Sequence, residues 1–173
     1  MRIGIDIMGG DYAPQKTVHG AILALNELPS DTKIVLFGRI NEILSELKHH
    51  NISKDNFEII DCPDVISMGE HPTKAFKSKP NSSIAKGFEY LSKGLIDGFA
   101  SAGNTGAMFV GGYYSVKAIP GILRPAISSL IPREDGGVTV LLDVGANADC
   151  KPDVLYQFGI LGSLFSEHVC GIK

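Results

Sequence analysis

The chain has 173 residues, 44% hydrophobic and 20% charged, a balance typical of one globular domain spanning residues 1–173. Its net charge is −3 at pH 7, whereas nucleic-acid binders are expected to be basic, so that class of function is disfavoured. Three cysteines without a CxxC pair indicate neither a disulfide framework nor a zinc site. Because no signal peptide and no apolar run of roughly 20 residues is present, we expect a cytoplasmic protein.

Short apolar segments alternate along the chain with longer segments of helical periodicity. Strands are predicted at residues 2–8, 33–38, 57–61, 97–101, 125–131 and 138–143. Helices are predicted at residues 14–28, 40–50, 82–94, 105–118 and 152–170, with Gly94 as a C-cap glycine. Because most strands are apolar on both faces, the sequence predicts an α/β fold with a mainly parallel sheet. The sequence stops just past a helix without a closing strand, so we expect the fold to be incomplete within these residues.

Three loops each follow the carboxyl end of a predicted strand and precede a helix, which is where open α/β sheets bind ligands. The first loop contains Gly9, Gly10 and Asp11. Its glycines let the backbone approach an anion, and the N-terminus of the next helix presents unpaired N–H groups that suit phosphate. The alternative for Asp11 is a helix cap, with Pro14 in the first turn, and the two roles are compatible.

The second loop, residues 101–107, reads Ser-Ala-Gly-Asn-Thr-Gly-Ala. Its hydroxyls, its amide and its two glycines suit a nest of N–H donors around an oxyanion. The alternative is a strand-to-helix turn that is capped by Asn104 or Thr105. The small polar residues at the end of a strand favour the functional interpretation.

The third loop begins with Asp143 at the end of an apolar strand and continues through Gly145 and Asn147 to Lys151. Gly145 allows backbone conformations that other residues rarely adopt, and Lys151 offers a cation to phosphate. The alternative is a turn and cap, with Lys151 in solvent. Cys150 is a candidate acyl-accepting nucleophile, but no His lies within ten residues of it, which favours a core cysteine.

A basic stretch contains Lys74, Lys77 and Lys79, and Lys86 extends it. Such a run is usually a solvated face and gains meaning only beside an acidic partner. His71 precedes it in a polar loop, where a role in proton transfer competes with simple exposure. The sequence contains no GxGxxG, P-loop, HExxH or GxSxG motif, which disfavours ordinary NAD and ATP enzymes.

Together these segments resemble the phosphate acyltransferase family of bacterial phospholipid synthesis. The matching stretches are residues 5–11 with 13–14, residues 72–79 with 82–83, residues 101–107, residues 124–126, residues 143–147 with 149–152, and residues 157–163. The resemblance covers essentially the whole chain. Because family members are longer, it is a resemblance to their N-terminal half.

The resemblance implies a Rossmann-like three-layer α/β/α sandwich, related to phosphotransacetylases and isopropylmalate-type dehydrogenases. It implies acyl transfer from acyl carrier protein to inorganic phosphate, without a cofactor or metal. It also implies a homodimer with peripheral membrane contact, whose acyl phosphate product passes to a glycerol-3-phosphate acyltransferase. For this reaction we assign catalytic roles to Asn104, Asp11, Asn147 and Lys151. Phosphate binding is assigned to Gly9, Gly10, Ser101, Gly103, Thr105, Gly106, Asp143 and Gly145, and carrier-protein docking to Lys74, Lys77 and Lys79.

Two alternatives stay open. A dehydrogenase of the related fold would use NAD and a metal, but it would need clustered Asp ligands and an adenine-binding stretch, and the sequence shows neither. A truncated, non-catalytic or partner-binding module of the same fold would lack a completed site.

Overall fold

A computed structural model describes residues 1–147 and 149–172 of the chain. The backbone contacts divide the chain into two compact units, Met1–Lys117 (unit 1) and Ala118–Lys173 (unit 2). The single domain expected for residues 1–173 stays a prediction. In the described residues no helix is both long enough and apolar enough to span a membrane.

Unit 1 alternates strands and helices. Its strands are β1 (Arg2–Asp6), β2 (Lys33–Gly38), β3 (Glu58–Asp61) and β4 (Gly98–Ala100). Its α-helices are α1 (Gln15–Leu25), α2 (Ile40–His49), α3 (Pro72–Ser78), α4 (Ser83–Ser92) and α5 (Thr105–Ser115), and a 3₁₀ turn covers Lys54–Asn56. All strand pairs are parallel, in the order β3-β2-β1-β4, so the predicted parallel sheet is confirmed.

Helices cover both faces of this sheet. Ile34 and Leu36 of β2 lie in a buried cluster with residues of α1 and α2, whereas Val35 and Phe37 point to the opposite face, against α4. Successive side chains of a strand alternate between faces, which is why the uninterrupted apolar run of β2 needs both layers. Each fully buried Ile, Leu or Phe contributes about 1.5–3 kcal/mol. Unit 1 thus has the three-layer α/β/α arrangement.

Helix α4 has the ends that its sequence predicts. The Ser82 hydroxyl accepts a hydrogen bond from Ala85 N at its start. At its end Gly94 has φ +66°, its N–H donates to Leu91 O, and Leu95 N donates to Tyr90 O. This double hydrogen bond is the Schellman motif, so the C-cap prediction for Gly94 is confirmed.

Helix α3 lies where the sequence predicts no helix. Pro72 occupies its first turn, where a missing N–H costs no intrahelical hydrogen bond. Ala75 is buried in a cluster with Ile84, Phe88 and Ala107, so this short helix is held by packing rather than by its own hydrogen bonds. His71 is exposed and occupies the position just before the helix.

Unit 2 contains β5 (Ser128–Pro132), β6 (Val138–Leu142) and α6 (Pro152–His168). The two strands pair antiparallel as a hairpin and are separate from the parallel sheet of unit 1. Their connection contains Asp135-Gly136, and Gly136 has φ +80°, a backbone conformation typical of hairpin turns.

Candidate functional site

The first and second predicted loops meet at the carboxyl ends of β1 and β4, which pair in parallel. A Cβ atom added to Gly9 would lie 2.7 Å from Gly103 N and 2.8 Å from Ser101 Oγ. A Cβ atom added to Gly103 would lie 3.1 Å from Gly9 Cα. Gly10 has φ +108°, which side chains rarely adopt. The glycines therefore let two loops approach each other, as only residues without a Cβ allow.

The buried Asp6 side chain forms hydrogen bonds with both loops. Its side chain is 1% exposed, and its carboxylate accepts hydrogen bonds from Ser101 Oγ at 2.6 Å and from Met8 N at 3.0 Å. Ser101 Oγ in turn accepts one from Gly103 N at 2.9 Å. Burial raises the pKa of Asp6, and hydrogen bonds from Ser101 and Ser83 partly oppose this effect. Asp6 is not among the predicted site residues, although an acid at the end of an apolar strand was the available sequence signal.

Asn104 caps helix α5. Its Oδ1 accepts a hydrogen bond from Ala107 N at 2.9 Å, which confirms the capping interpretation. Its Nδ2 donates to the backbone oxygens of Ser67, Met68 and Glu70 at 3.0, 3.2 and 3.2 Å. The side chain is 4% exposed, and its donor and acceptor atoms are all engaged within the chain. A direct contact of Asn104 with substrate stays a prediction.

The first turn of α5 is the most accessible polar feature of this loop. The N–H groups of Thr105 and Gly106 belong to the first turn and have no intrahelical partners. Thr105 is exposed, so its hydroxyl is open to solvent. A side chain at Gly106 would overlap Pro72 of α3, so this glycine lets α3 pack against the loop. The arrangement offers backbone donors and one hydroxyl to an anion, supported by the helix dipole.

Asp11 is exposed and does not cap α1. The N-cap position belongs to Pro14, and no side chain caps this helix, so the capping alternative for Asp11 is wrong. Three residues, 12–14, separate Asp11 from Gln15, the first residue of the helix, so Asp11 precedes the N-cap position. Its predicted catalytic role stays a prediction.

The three lysines assigned to docking differ in their surroundings. Lys74 and Lys77 are exposed on α3, with Lys77 Nζ 5.6 Å from the centroid of the Tyr114 ring. Lys79 Nζ instead donates to Val65 O at 2.8 Å and to Glu70 Oε1 at 2.6 Å. The hydrogen bond from Lys79 lowers the pKa of Glu70. Lys79 therefore braces the segment whose carbonyls Asn104 contacts, and it is less available to a partner.

Lys86 is also engaged within the chain. Its Nζ lies 2.8 Å from Glu89 Oε2, and Lys93 Nζ lies 2.6 Å from Glu89 Oε1. The hydrogen bond to Glu89 raises the pKa of Lys86, and the two lysines lower the pKa of Glu89 to about 2. Carrier-protein docking on this basic stretch stays a prediction.

The third loop belongs to unit 2. Asp143 has φ +62°, and its Oδ1 accepts hydrogen bonds from Asn147 N at 3.1 Å and Asn147 Nδ2 at 2.9 Å. Gly145, with φ +96°, allows the tight turn between them. Cys150 Sγ lies 3.9 Å from Asp143 Oδ2, and the exposed Lys151 occupies the N-cap position of α6. Asp143 thus orients the Asn147 amide, while the catalytic assignments of Asn147 and Lys151 stay predictions.

The whole chain is similar in sequence to curated proteins named phosphate acyltransferase. A phosphate acyltransferase of Halothermothrix orenii is 42% identical over 173 residues, and one of Dictyoglomus thermophilum is 44% identical. Each alignment covers 100% of this chain and 51% of the relative, so the chain spans about half the length of the curated relatives that it matches.

Solved structures show the same fold. A phosphotransacetylase from Streptococcus pyogenes matches 92% of this chain and 51% of its own, with a TM-score of 0.66 at 20% identity. The EutD phosphotransacetylase from Staphylococcus aureus matches 99% of this chain and 54% of its own, with a TM-score of 0.64 at 15% identity. The predicted Rossmann-like α/β fold is thereby confirmed. The family described as "Fatty acid synthesis protein" matches residues 1–173, and the chain therefore belongs to that family.

Proposed function

We propose that this chain contributes the phosphate-binding part of a phosphate acyltransferase, which transfers an acyl group from acyl carrier protein to inorganic phosphate. One observation carries the proposal. Two loops that need their glycines to approach each other meet beside the Thr105 and Gly106 N–H groups of α5, which have no intrahelical partner, in a chain whose relatives are named phosphate acyltransferases. Such an arrangement suits the binding of an anion by backbone donors.

In this reaction phosphate is the nucleophile. One phosphate oxygen forms a bond to the thioester carbonyl carbon, the tetrahedral oxyanion collapses, and the carbon–sulfur bond breaks to release the carrier thiolate. A thiol pKa of roughly 8.5 makes this leaving group easy to expel without strong acid assistance. Positioning phosphate against the carbonyl could contribute about 7–11 kcal/mol, and one well-placed oxyanion donor about 3 kcal/mol.

The residues of unit 1 divide between contact and positioning. We assign contact with phosphate or the oxyanion to the N–H groups of Thr105 and Gly106 and to the Thr105 hydroxyl. Asp6 and Asn104 position the loop that carries these donors, because their polar atoms are bonded inside the chain. Asp11, Asn147 and Lys151 remain further candidates for contact with substrate.

The proposed partners follow from the same reaction. Acyl carrier proteins are acidic, so the exposed Lys74 and Lys77 on α3 offer a docking surface beside the loop that Pro72 contacts. The acyl phosphate product would serve a glycerol-3-phosphate acyltransferase, and we propose a homodimer that contacts the membrane peripherally.

The test uses the full-length protein with acyl carrier protein thioester and phosphate. We expect phosphate-dependent release of free carrier protein. Thr105→Val removes one hydroxyl without changing side-chain shape, and we expect a rate loss on the order of 10²-fold with unchanged stability. Thr139→Val, at an exposed position of β6, is the matched control. If neither phosphate nor arsenate consumes the thioester while the protein is folded, the proposed function is wrong.

A further inference from the structure

The outer surface of helix α5 is apolar and open to solvent. The helix contains no charged residue, and a helix that is apolar all round is ordinarily covered on every side. Tyr113, Tyr114 and Val116 are 48%, 51% and 57% exposed. Tyr113 and Val116 are three residues apart, so they share one side of the helix, and Tyr114 borders them. These three residues form a surface that we call the Tyr113 face.

Packing on the inner side of α5 holds this face in place. Ala107 is fully buried in a cluster with Ala75 of α3 and Phe88 of α4. A Cβ atom added to Gly111 would overlap Phe88 and would lie 2.9 Å from Phe76 Cε2 of α3, so the glycine lets the three helices approach closely. Because its backbone is already fixed, the Tyr113 face can bind a partner with little loss of conformational entropy.

The surroundings of the Tyr113 face are positively charged. The sequence has no Asp or Glu at residues 71–88 or 98–133, which include the whole of α3 and α5. Lys74 and Lys77 are exposed on α3, and Lys117 is exposed just after α5. Lys77 Nζ lies 5.6 Å from the centroid of the Tyr114 ring, so a cation borders the aromatic surface directly. Charge complementarity therefore favours a partner that combines carboxylates with apolar side chains.

We propose that acyl carrier protein docks on the Tyr113 face, with Tyr113 and Tyr114 as apolar anchors and Lys74 and Lys77 as the charged rim, an inference that rests on the proposed function. The two lysines alone would steer an acidic protein towards this surface but would contribute little affinity at physiological salt. Tyrosines near the centre of an interface are the residues that typically carry its binding energy.

The position of the face suits delivery of a thioester. Thr105, which carries proposed phosphate donors, is the first residue of α5, and Tyr113 lies eight residues further along the same helix. At 1.5 Å per residue the two are about 12 Å apart along the helix axis. A carrier protein holds its acyl group on a flexible prosthetic arm. Docking at Tyr113 therefore leaves the phosphate donors uncovered while the arm reaches them.

The test measures binding of fluorescently labelled acyl carrier protein to the full-length protein. Tyr113→Ala and Tyr114→Ala each remove one exposed ring, and alanine favours the helical backbone. The matched control is Leu23→Ala, which removes an apolar side chain that is 54% exposed on α1, in the helix layer on the other face of the sheet. The double reversal of Lys74 and Lys77 to Glu is measured in parallel.

We expect each tyrosine variant to raise the Kd for carrier protein about tenfold at both low and high salt, because salt does not screen apolar contacts. The lysine reversal should raise the Kd at low salt only, and Leu23→Ala should leave it unchanged. Unchanged binding by either tyrosine variant, or an equal loss in Leu23→Ala, overturns the inference. A fall in thermal stability of the tyrosine variants also overturns it, because the rings would then be packed inside the full-length protein.

Turnover with two donors separates docking from chemistry. The tyrosine variants should raise the KM for the carrier-protein thioester and leave kcat unchanged. With the same acyl group on free pantetheine they should match the wild type, because that donor has no protein to dock. An equal loss with the pantetheine donor would place the tyrosines at the reacting atoms and overturns the inference.

The binding measurement also distinguishes this inference from the proposed function, because it needs no turnover. Weaker carrier-protein binding by the tyrosine variants supports the Tyr113 face even if phosphate consumes no thioester. Equal binding rejects the face even if acyl transfer is observed. Vesicles of phosphatidylglycerol and phosphatidylcholine in equal amounts test a lipid surface as the occupant. Weaker vesicle binding by the variants, with unchanged carrier-protein binding, overturns the inference in favour of the membrane.

Discussion

Replacing Asn104 tests whether this residue builds the site or acts on the substrate. Asn104→Ala removes the cap of α5 and the amide that donates to three backbone carbonyls. Loss of a cap costs about 1 kcal/mol, and each buried acceptor left unpaired costs about 1–3 kcal/mol. Ser67 and Met68 are exposed and Glu70 is half-buried, so water can replace much of the lost bonding to their carbonyls. We therefore expect the free energy of unfolding to fall by about 2–3 kcal/mol, of which the cap accounts for about 1 kcal/mol.

Asn104→Ser separates the two contributions. A serine at the N-cap keeps an acceptor for Ala107 N but loses the donor to the carbonyls, so it should recover about 1 kcal/mol relative to alanine. Urea unfolding of the full-length protein measures all three free energies, and turnover is measured in parallel at a temperature where each variant is folded.

A loss of stability in Asn104→Ala would contradict the simpler expectation that Asn104 acts only on the substrate. In that case alanine would lower turnover by about 10²-fold and leave stability unchanged. Unchanged unfolding free energy in Asn104→Ala, with turnover lost, would refute the positioning argument, because it would show that the three carbonyls are adequately solvated without the amide.

Three further predictions concern the neighbouring residues. Gly9→Ala should lower stability and abolish activity, because its Cβ would lie 2.6 Å from Asp6 Oδ2; a folded, active variant in thermal unfolding and turnover assays would contradict this. Reversing Lys74 and Lys77 to Glu should raise the KM for carrier protein several-fold at low salt and leave the KM for phosphate unchanged. The control is charge reversal of Lys33, an exposed lysine at the amino end of β2, which should leave the KM for carrier protein unchanged. Asp6 has a raised folded-state pKa, so folding favours its protonated form, and the wild type should lose stability relative to Asp6→Asn as pH rises from 3.8 to the folded-state value. Unfolding free energies of both proteins across this range test the sign. The wild-type value minus the Asp6→Asn value should fall as pH rises, and a value that stays constant or rises contradicts the prediction.

The fold of unit 1 was largely predictable from sequence. Apolar runs such as residues 33–38 are unambiguous because they are buried on both faces. Helix α3 was missed because seven residues give too short a periodic signal, and its burial through Ala75 depends on distant partners. The antiparallel pairing of β5 and β6 was missed although Asp135-Gly136 between two apolar runs is a recognised hairpin signal.

The candidate site was predictable in place but only partly in detail. The positions of glycines and small polar residues identified the loops, because strand ends and helix starts are local features. The partners of Asn104 lie 34 to 37 residues away in the chain, and no local pattern indicates them. The same holds for the bond between Asp6 and Ser101, 95 residues apart, which only the pairing of β1 and β4 brings together.

These contacts suggest why a motif rich in polar side chains ends up presenting mainly backbone donors. Asp6 and Asn104 are buried and hydrogen-bonded inward, and both fix residues 101–107. Donors held in this way need no reorganisation when charge develops on a substrate, which is where electrostatic catalysis gains most. A buried side chain that also contacted phosphate would have to break hydrogen bonds within the chain, and their loss would offset much of the free energy gained from the new contact. Under the proposed function, Asp6 and Asn104 are therefore supports, and the contacts with phosphate are made by the Thr105 and Gly106 N–H groups and the Thr105 hydroxyl.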